Sequence, residues 1–454
     1  MMASGSNVDA KAPVAAPRSP PYNAARHISA CHMSDIYVAE EFIVMAQAPT
    51  VRAPRSLDAL LSHRGRDLPS PRVGDPRDSA GLISFSFGFP DLASLPVEEV
   101  IDATARALRD DGAWALQYGK STGYPGLVEQ LRRKLERDQG ITASPENILI
   151  TAGGSQALQL VLDLLVDWGD TVITEAPTWL GAVFAFKNLG VNVVSIPVDD
   201  QGTDTAALEQ ELQRLQGEGI APKFIYVISN FQNPSGISTT LKRRQRLVAL
   251  AQEYGTLILE DDAYHDLRYS GDPIPPVYTL DDSGSTMYLG TFSKTMGAGM
   301  RLGWLVAAPE IITKLSVLKI DGSTNVFGAH VAAAWIPEHL DTHVARLRET
   351  YRHRRDLMLA ALDRHMPPGT VWTRPDGGFF IWVTFPAGVD TNRMLLQARE
   401  RGVEFLPGAT CYADGRGIDQ LRLSFSFATD DQIEPGIKIL GEIAHGELLE
   451  DGRP

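Results

Sequence analysis

The residues best placed for chemistry are a lysine and an arginine among small side chains, in Thr291-Phe292-Ser293-Lys294-Thr295-Met296-Gly297-Ala298-Gly299-Met300-Arg301. A lysine flanked by Ser, Thr and Gly has the surroundings of an amine nucleophile with a lowered pKa. The plainer reading is a solvated lysine. In Asp261-Asp262-Ala263-Tyr264 an acid ends an apolar run. It is either solvated or aimed at a cationic ligand, and Tyr264 can reach that same ligand. Asn230-Phe231-Gln232-Asn233-Pro234-Ser235-Gly236 is rich in turn formers, and Asn233 can donate to a ligand oxygen. Ala152-Gly153-Gly154-Ser155-Gln156 brings small residues to the start of a helix, where backbone N–H groups and the helix dipole favour an anion. It is not GxGxxG, so a dinucleotide reading is weak, and alone it is an ordinary glycine turn.

All four segments follow short apolar runs that read as buried strands: 147–151, 224–229, 256–260 and 287–290. Further strands are expected at 171–175, 191–197 and 303–307. Helical patterns fall at 155–166, 180–189, 243–254 and 309–319, and Pro96 opens another with Glu98 and Glu99 in its first turn. Short buried strands alternating with helices mean an α/β fold with a mainly parallel sheet. In doubly wound sheets the ligand sits at the carboxyl ends of the strands, where all four segments lie. From about Trp335 the chain changes to a long charged helix and strand-like 379–384 and 421–427, a smaller α+β unit. In Leu421-Arg422-Leu423-Ser424-Phe425, alternation puts Arg422 and Ser424 on one face. Arg243 and Arg244 read as a solvated helix face, as does His353.

The chain has 454 residues, enough for two to three domains. Its net charge of −14 argues against broad nucleic-acid binding. Two cysteines, Cys31 and Cys411, exclude a disulfide framework and a cysteine-based zinc site. No apolar run approaches the ~18–20 residues that span a membrane. A cytoplasmic location is expected. Residues 1–80 are broken by many prolines and read as a disordered leader, with Met33 or Met45 as alternative starts and Phe42 to Met45 as a docking arm.

Together the four loops are far more specific than any one. A phosphate cradle, an asparagine, an acid with a tyrosine, and a lysine followed by an arginine are what pyridoxal 5'-phosphate needs. An acid ~4 Å from the pyridinium gains about 4 kcal/mol at an effective dielectric of ~20. That is roughly three pKa units before desolvation.

On these motifs the sequence resembles the fold-type I, pyridoxal-phosphate-dependent class I/II aminotransferases, in the branch of 2-aminoadipate and aromatic aminotransferases. The resemblance covers about Leu82 to Leu449. It implies a large cofactor-binding domain with a sheet of the seven-stranded type at 131–330. A smaller α+β domain is implied from 81–130 and 331–454. It also implies Lys294 as the Schiff-base lysine and proton shuttle, and Asp261 against the pyridinium nitrogen. Tyr264 and Asn233 would bond the ring's phenolic oxygen. Gly154, Ser155, Ser293 or Thr291, and Arg301 would hold the phosphate, and Trp179 would stack on the ring. Tyr118 would reach the phosphate of a neighbouring subunit, which implies a homodimer. Arg422 would bind the substrate α-carboxylate with Gly88 and Asn233.

The implied reaction is a ping-pong transfer of an amino group between an L-amino acid and a 2-oxo acid. Phe87, Phe89 and Trp179 replace the family's more usual residues and suggest an apolar or aromatic side-chain pocket; Lys120 offers a distal carboxylate partner instead, as 2-aminoadipate would need. Two alternatives are a divergent pyridoxal-phosphate enzyme of specialised biosynthesis, and a transcriptional regulator that borrows the fold.

Overall fold

The computed structural model describes residues 56–66 and 81–451. The chain divides at Leu60 into two units. Of the first, the described part is the turn Leu57–Leu60. A second turn, His63–Arg66, opens the other unit. The arm at Phe42 to Met45, the alternative starts and most of the expected leader lie outside the described residues.

Strand β1 (Ile83–Ser84) is short. Eight later strands form one sheet: β2 (Ile148–Thr151), β3 (Thr171–Ala176), β4 (Asn192–Asp199), β5 (Gly202–Thr203), β6 (Phe224–Val227), β7 (Leu257–Asp261), β8 (Thr286–Thr291) and β9 (Gly303–Val306). Their order is β2-β9-β8-β7-β6-β3-β4-β5. The run from β4 through β3, β6 and β7 to β8 is parallel. β9 runs antiparallel between β2 and β8. The strand beyond the expected seven is β5, which folds back on the edge of β4 through Asp199↔Gly202.

The sheet is buried on both faces, which is why its strands read as continuous apolar runs. Within β2, Ile148 and Ile150 enter one core and Leu149 the other. Helices Gly154–Leu165 and Leu180–Leu189 contribute Val161 and Phe186 to the core with Leu149. Each fully buried side chain of this size contributes about 1.5–3 kcal/mol.

The smaller unit is an antiparallel sheet, β10-β11-β14-β13, of β10 (Val371–Trp372), β11 (Phe380–Thr384), β13 (Leu406–Pro407) and β14 (Gln420–Ser424). Beside it β1 pairs in parallel with β12 (Val403–Glu404). Phe85 joins the core of this unit, whereas Ala103 and Leu127 pack with Ile150 and Trp304.

The helix Val326–His365 serves both cores: Trp335 and Leu340 pack in one, Leu347, Met358 and Leu362 in the other. It begins well before the expected Trp335. Asn325, left-handed at φ 35°, caps it by accepting from the Gly328 N–H at 2.9 Å.

Arg244 corrects the solvated-face expectation. It is fully buried and donates to the Ser229 carbonyl and Asn230 Oδ1, each at 2.7 Å. Among the described residues, no helix is long and apolar enough to cross a membrane.

Candidate active site

Register brings the four loops to one edge. Thr151 and Thr291 flank Gly303, and Asp261 pairs with Leu289. The carboxyl ends of β2, β7 and β8 therefore lie together.

Glu260 and Asp261 end β7 and Asp262 follows it, and the partners of these three acids tell them apart. Glu260 accepts from Ser229 Oγ and from the N–H groups of Val277 and Tyr278. Asp262 accepts from Asn230, His265 and Tyr288. Asp261 accepts from the Tyr226 hydroxyl on Oδ2 at 2.7 Å, but its Oδ1 is buried with no partner. Burial pushes its carboxyl up to about 6, although the Tyr226 bond opposes this. A buried, orphaned acceptor needs a donor from elsewhere.

Lys294 lies within electrostatic reach of that acid. Its Nζ donates to the Gly88 carbonyl at 2.9 Å and sits 5.7 Å from the centre of the Tyr264 ring. Burial and then the Arg422 cation push the ammonium down to about 8, against the pull of Asp261. Tyr264 is buried against Phe379 and Phe380, which raises its hydroxyl pKa.

The anion cradle is built at the start of the helix Gly154–Leu165. Gly153 caps it at φ +79°, and a Cβ there would lie 2.9 Å from Arg301 Nη2. Arg301 is itself left-handed at φ 48°, a strained conformation for a side-chain-bearing residue. Its Nη2 donates to the Ala152 carbonyl at 2.8 Å, which lays the guanidinium across the glycine turn. Thr291 Oγ1 and Ser293 Oγ are 2.9 Å apart beside it. Ser155, in the first turn, is exposed.

Arg422 is buried on β14. Nη1 donates to Asn233 Oδ1 at 2.9 Å and Nη2 to the Ser86 carbonyl, while Nε has no partner. Its guanidinium lies 4.1 Å from the centre of the Phe380 ring. Gly88 approaches the same ring so closely that a Cβ would fall 2.7 Å from it. Asn233 is thus brought to Arg422.

Trp179 is half-buried at the start of the helix Leu180–Leu189, after Pro177. Tyr118 stands apart, 82% exposed, with its ring near Gly322.

Three positions around the site escape sequence reasoning. Tyr226 shows only as a tyrosine in an apolar strand. Glu175 shows only as an acid in another, yet it is fully buried. Phe427 completes an aromatic group with Phe87 and Phe89. Those two stack at 4.9 Å, and Phe427 meets them edge-on at 5.7 and 6.4 Å. No local pattern announces that contact.

This donor and acceptor set fits pyridoxal 5'-phosphate. The orphaned Asp261 Oδ1 matches the ring N–H, Lys294 the carbonyl carbon, and the turn at Gly153 with Arg301 the phosphate.

Comparison with known proteins agrees. The profile of the family "Aminotransferase class I and II" matches residues 80–440. An aromatic-amino-acid aminotransferase 1 of Thermococcus litoralis is 39% identical over 374 residues, which cover 82% of this chain and 90% of that one. The structure of a Pyrococcus horikoshii kynurenine aminotransferase, in complex with PMP, has a TM-score of 0.82 at 37% identity, covering 87% of this chain and 98% of that one. An alpha-aminoadipate aminotransferase of Thermus thermophilus, complexed with N-(5'-phosphopyridoxyl)-L-leucine, has a TM-score of 0.80 at 34% identity, with 87% and 100% covered. Four loops converging on one sheet edge, and a family profile that takes in both the eight-stranded and the four-stranded sheet, lead to one conclusion: the chain belongs to the class I and II aminotransferases and is a pyridoxal-phosphate-dependent transaminase.

Proposed function

We propose that this enzyme moves the amino group of an L-amino acid with a flat apolar side chain to a 2-oxo acid, with Lys294 as the catalytic base. The observation that carries the residue assignment is Asp261 Oδ1. It is the unsatisfied oxygen among three buried neighbouring acids, and it interacts with Lys294.

Bound pyridoxal phosphate supplies an electron sink for the α-carbon. The remaining work falls to the chain. Asp261 Oδ1 accepts the ring N–H and keeps that nitrogen protonated. Gly154, Ser155, Thr291, Ser293 and Arg301 hold the phosphate, and Trp179 covers a ring face. Tyr264 and Asn233 face the phenolic oxygen. Arg422 takes the substrate carboxylate, with Gly88 and Asn233 beside it, and so fixes where the α-hydrogen points. Lys294 Nζ would take that hydrogen as a proton from the α-carbon and deliver it to the cofactor carbon that receives the amino group. A pKa near 8 leaves enough free amine at neutral pH for this work.

The side-chain preference rests on Phe87, Phe89 and Phe427. Ser86, Gly88 and Phe89 offer their carbonyls to Arg422, Lys294 and Ser426 in turn. The half-buried aromatic group therefore stands beside both the base and the carboxylate site. The name of the Thermococcus relative agrees with an aromatic substrate.

We also read the chain as a homodimer whose Tyr118 completes the partner's phosphate site. In support, Tyr118 is accompanied by strongly exposed Trp114, Leu116, Val317 and Ile320. A patch of this kind marks an interaction surface.

The test mixes the cofactor-loaded enzyme with single amino acids and follows 2-oxo acid formation. Phenylalanine, tyrosine or kynurenine should convert the cofactor to its amino form, and 2-oxoglutarate or pyruvate should reverse this. Preference for 2-aminoadipate over all three would overturn the side-chain assignment.

A further inference from the structure

One buried charge has no part in the reaction as derived. Glu175, at the end of β3, is 1% exposed, and no cation lies within ion-pair distance among the described residues. A carboxylate buried this way is costly unless its lone pairs are filled. Here three elements fill them. Thr203 on β5 donates through Oγ1 to Oε1 at 2.7 Å. The Ile228 N–H, just past β6, donates to Oε2 at 3.0 Å. Gln232 Nε2 donates to Oε2 at 3.2 Å.

Gln232 then extends the connection. The same Nε2 donates to the Pro177 carbonyl at 2.6 Å, and Oε1 accepts from the Ser235 N–H at 2.8 Å. Pro177 lies two residues before Trp179, and Gln232 immediately precedes Asn233. On one side is the ring-stacking residue, on the other the residue that meets both Arg422 and the cofactor.

We propose that Glu175 is a positioning residue: with Gln232 it ties the Pro177–Trp179 loop to the Asn233 loop and so fixes the width of the slot that holds the cofactor ring.

This rests on the cofactor assignments above but goes beyond them, because neither Glu175 nor Gln232 touches cofactor or substrate in that reading. Burial pushes the Glu175 carboxyl up to about 7, and the nearby Asp261 carboxylate adds to the shift. The buried Tyr226 hydroxyl also lies within electrostatic reach of it. All three partners donate to Glu175, so protonation turns one oxygen into a competing donor and loosens the tie. The grip on the ring therefore weakens as pH falls through about 7.

The test uses the cofactor-loaded full chain with Glu175→Gln, Glu175→Ala and Gln232→Leu, singly and combined. Glutamine keeps the volume but, like the protonated acid, offers one acceptor oxygen and one donor where three donors converge. Glu175→Gln should therefore release the cofactor at pH 8 as fast as the wild type does below pH 7, and should lose the dependence on pH. Glu175→Ala and Gln232→Leu should each speed cofactor release about tenfold to a hundredfold, the cost of losing one or two hydrogen bonds to a charged group. Both should shift the absorption band of the bound cofactor. Their double mutant should be no worse than the stronger single, because they remove one connection.

Wild-type release rates in a folded Glu175→Ala, or additive effects in the double mutant, would overturn the proposal. If the alanine variant does not fold, Gln232→Leu and Glu175→Gln decide by the same readouts. Failure of the transaminase reading would show separately, as no amino transfer by the wild type.

Discussion

Replacing Asp261 by asparagine separates what its charge does for the cofactor from what it costs the fold. The change keeps the side chain's volume and an oxygen to accept from the Tyr226 hydroxyl. It places an N–H2 where Oδ1 now waits for a donor. A unit charge removed ~4 Å from the ring nitrogen, at an effective dielectric of ~20, is worth about 4 kcal/mol. The ring nitrogen should lose its proton at neutral pH, and kcat/KM should fall about a thousandfold. KM should change less, because Arg422 belongs to β14 of the other sheet.

The cofactor-free protein should respond in the opposite sense. Its Asp261 carboxyl is raised to about 6, above the unfolded value near 3.9, so the charged form is disfavoured by the fold. A group raised in this way adds stability that is present below the unfolded pKa and lost as pH rises through the folded one. At pH 7 the wild type carries that loss, about 2–3 kcal/mol, and Asp261→Asn relieves it. Stopped-flow half-reactions and thermal melts of the cofactor-free protein read the two effects. A loss in kcat/KM below tenfold, or a cofactor-free variant that melts below wild type at pH 7, would refute the reasoning.

Other outcomes follow from single features of the site. Since Lys294 is lowered to about 8, its free-amine fraction grows with pH, and the proton-transfer step should speed up to about pH 8 and then level, as single-turnover rates would report. Phe427→Ala removes the edge-on partner of Phe87 and Phe89, so kcat/KM for phenylalanine should fall up to about tenfold while that for alanine holds. Gly88→Ala puts a methyl 2.7 Å from Phe380, and calorimetry should register a loss of about 1–3 kcal/mol.

Much of this architecture is readable from sequence because the central strands are buried on both sides. Runs such as Ile148–Thr151 leave no other role for their side chains. The loops after them are readable for the same reason, since function collects where strands end. What stays hidden depends on partners far away in the chain. Glu175 and Tyr226 look like misplaced polar residues until Gln232 and Asp261 arrive. Arg244 looks solvated beside Arg243, and its burial is explained by acceptors outside its helix, the Ser229, Thr239 and Pro275 carbonyls and Asn230 Oδ1. β6 stops at Val227 instead of continuing to Ser229, because the backbone beyond it is diverted: the Ile228 N–H donates to Glu175 and the Ser229 carbonyl accepts from the Thr239 N–H and Arg244. Phe427 belongs to the same class, since nothing beside it in sequence points to Phe87.

The pairing of β1 with β12 has a consequence for synthesis. Ser84 Oγ bonds Glu404 Oε1 at 2.7 Å across 320 residues, so the smaller unit is assembled from an early and a late piece of chain. A ribosome adding about 5–20 residues per second needs on the order of 16–64 s to cover that gap. Throughout it Ile83 and Phe85 lack their β12 partners, whereas the eight-stranded sheet has all its strands once Val306 is made. The nascent enzyme should therefore own Lys294, Asp261 and the glycine cradle well before Arg422 emerges. Chains stalled between Val306 and Val403 would capture the cofactor without discriminating among amino acids.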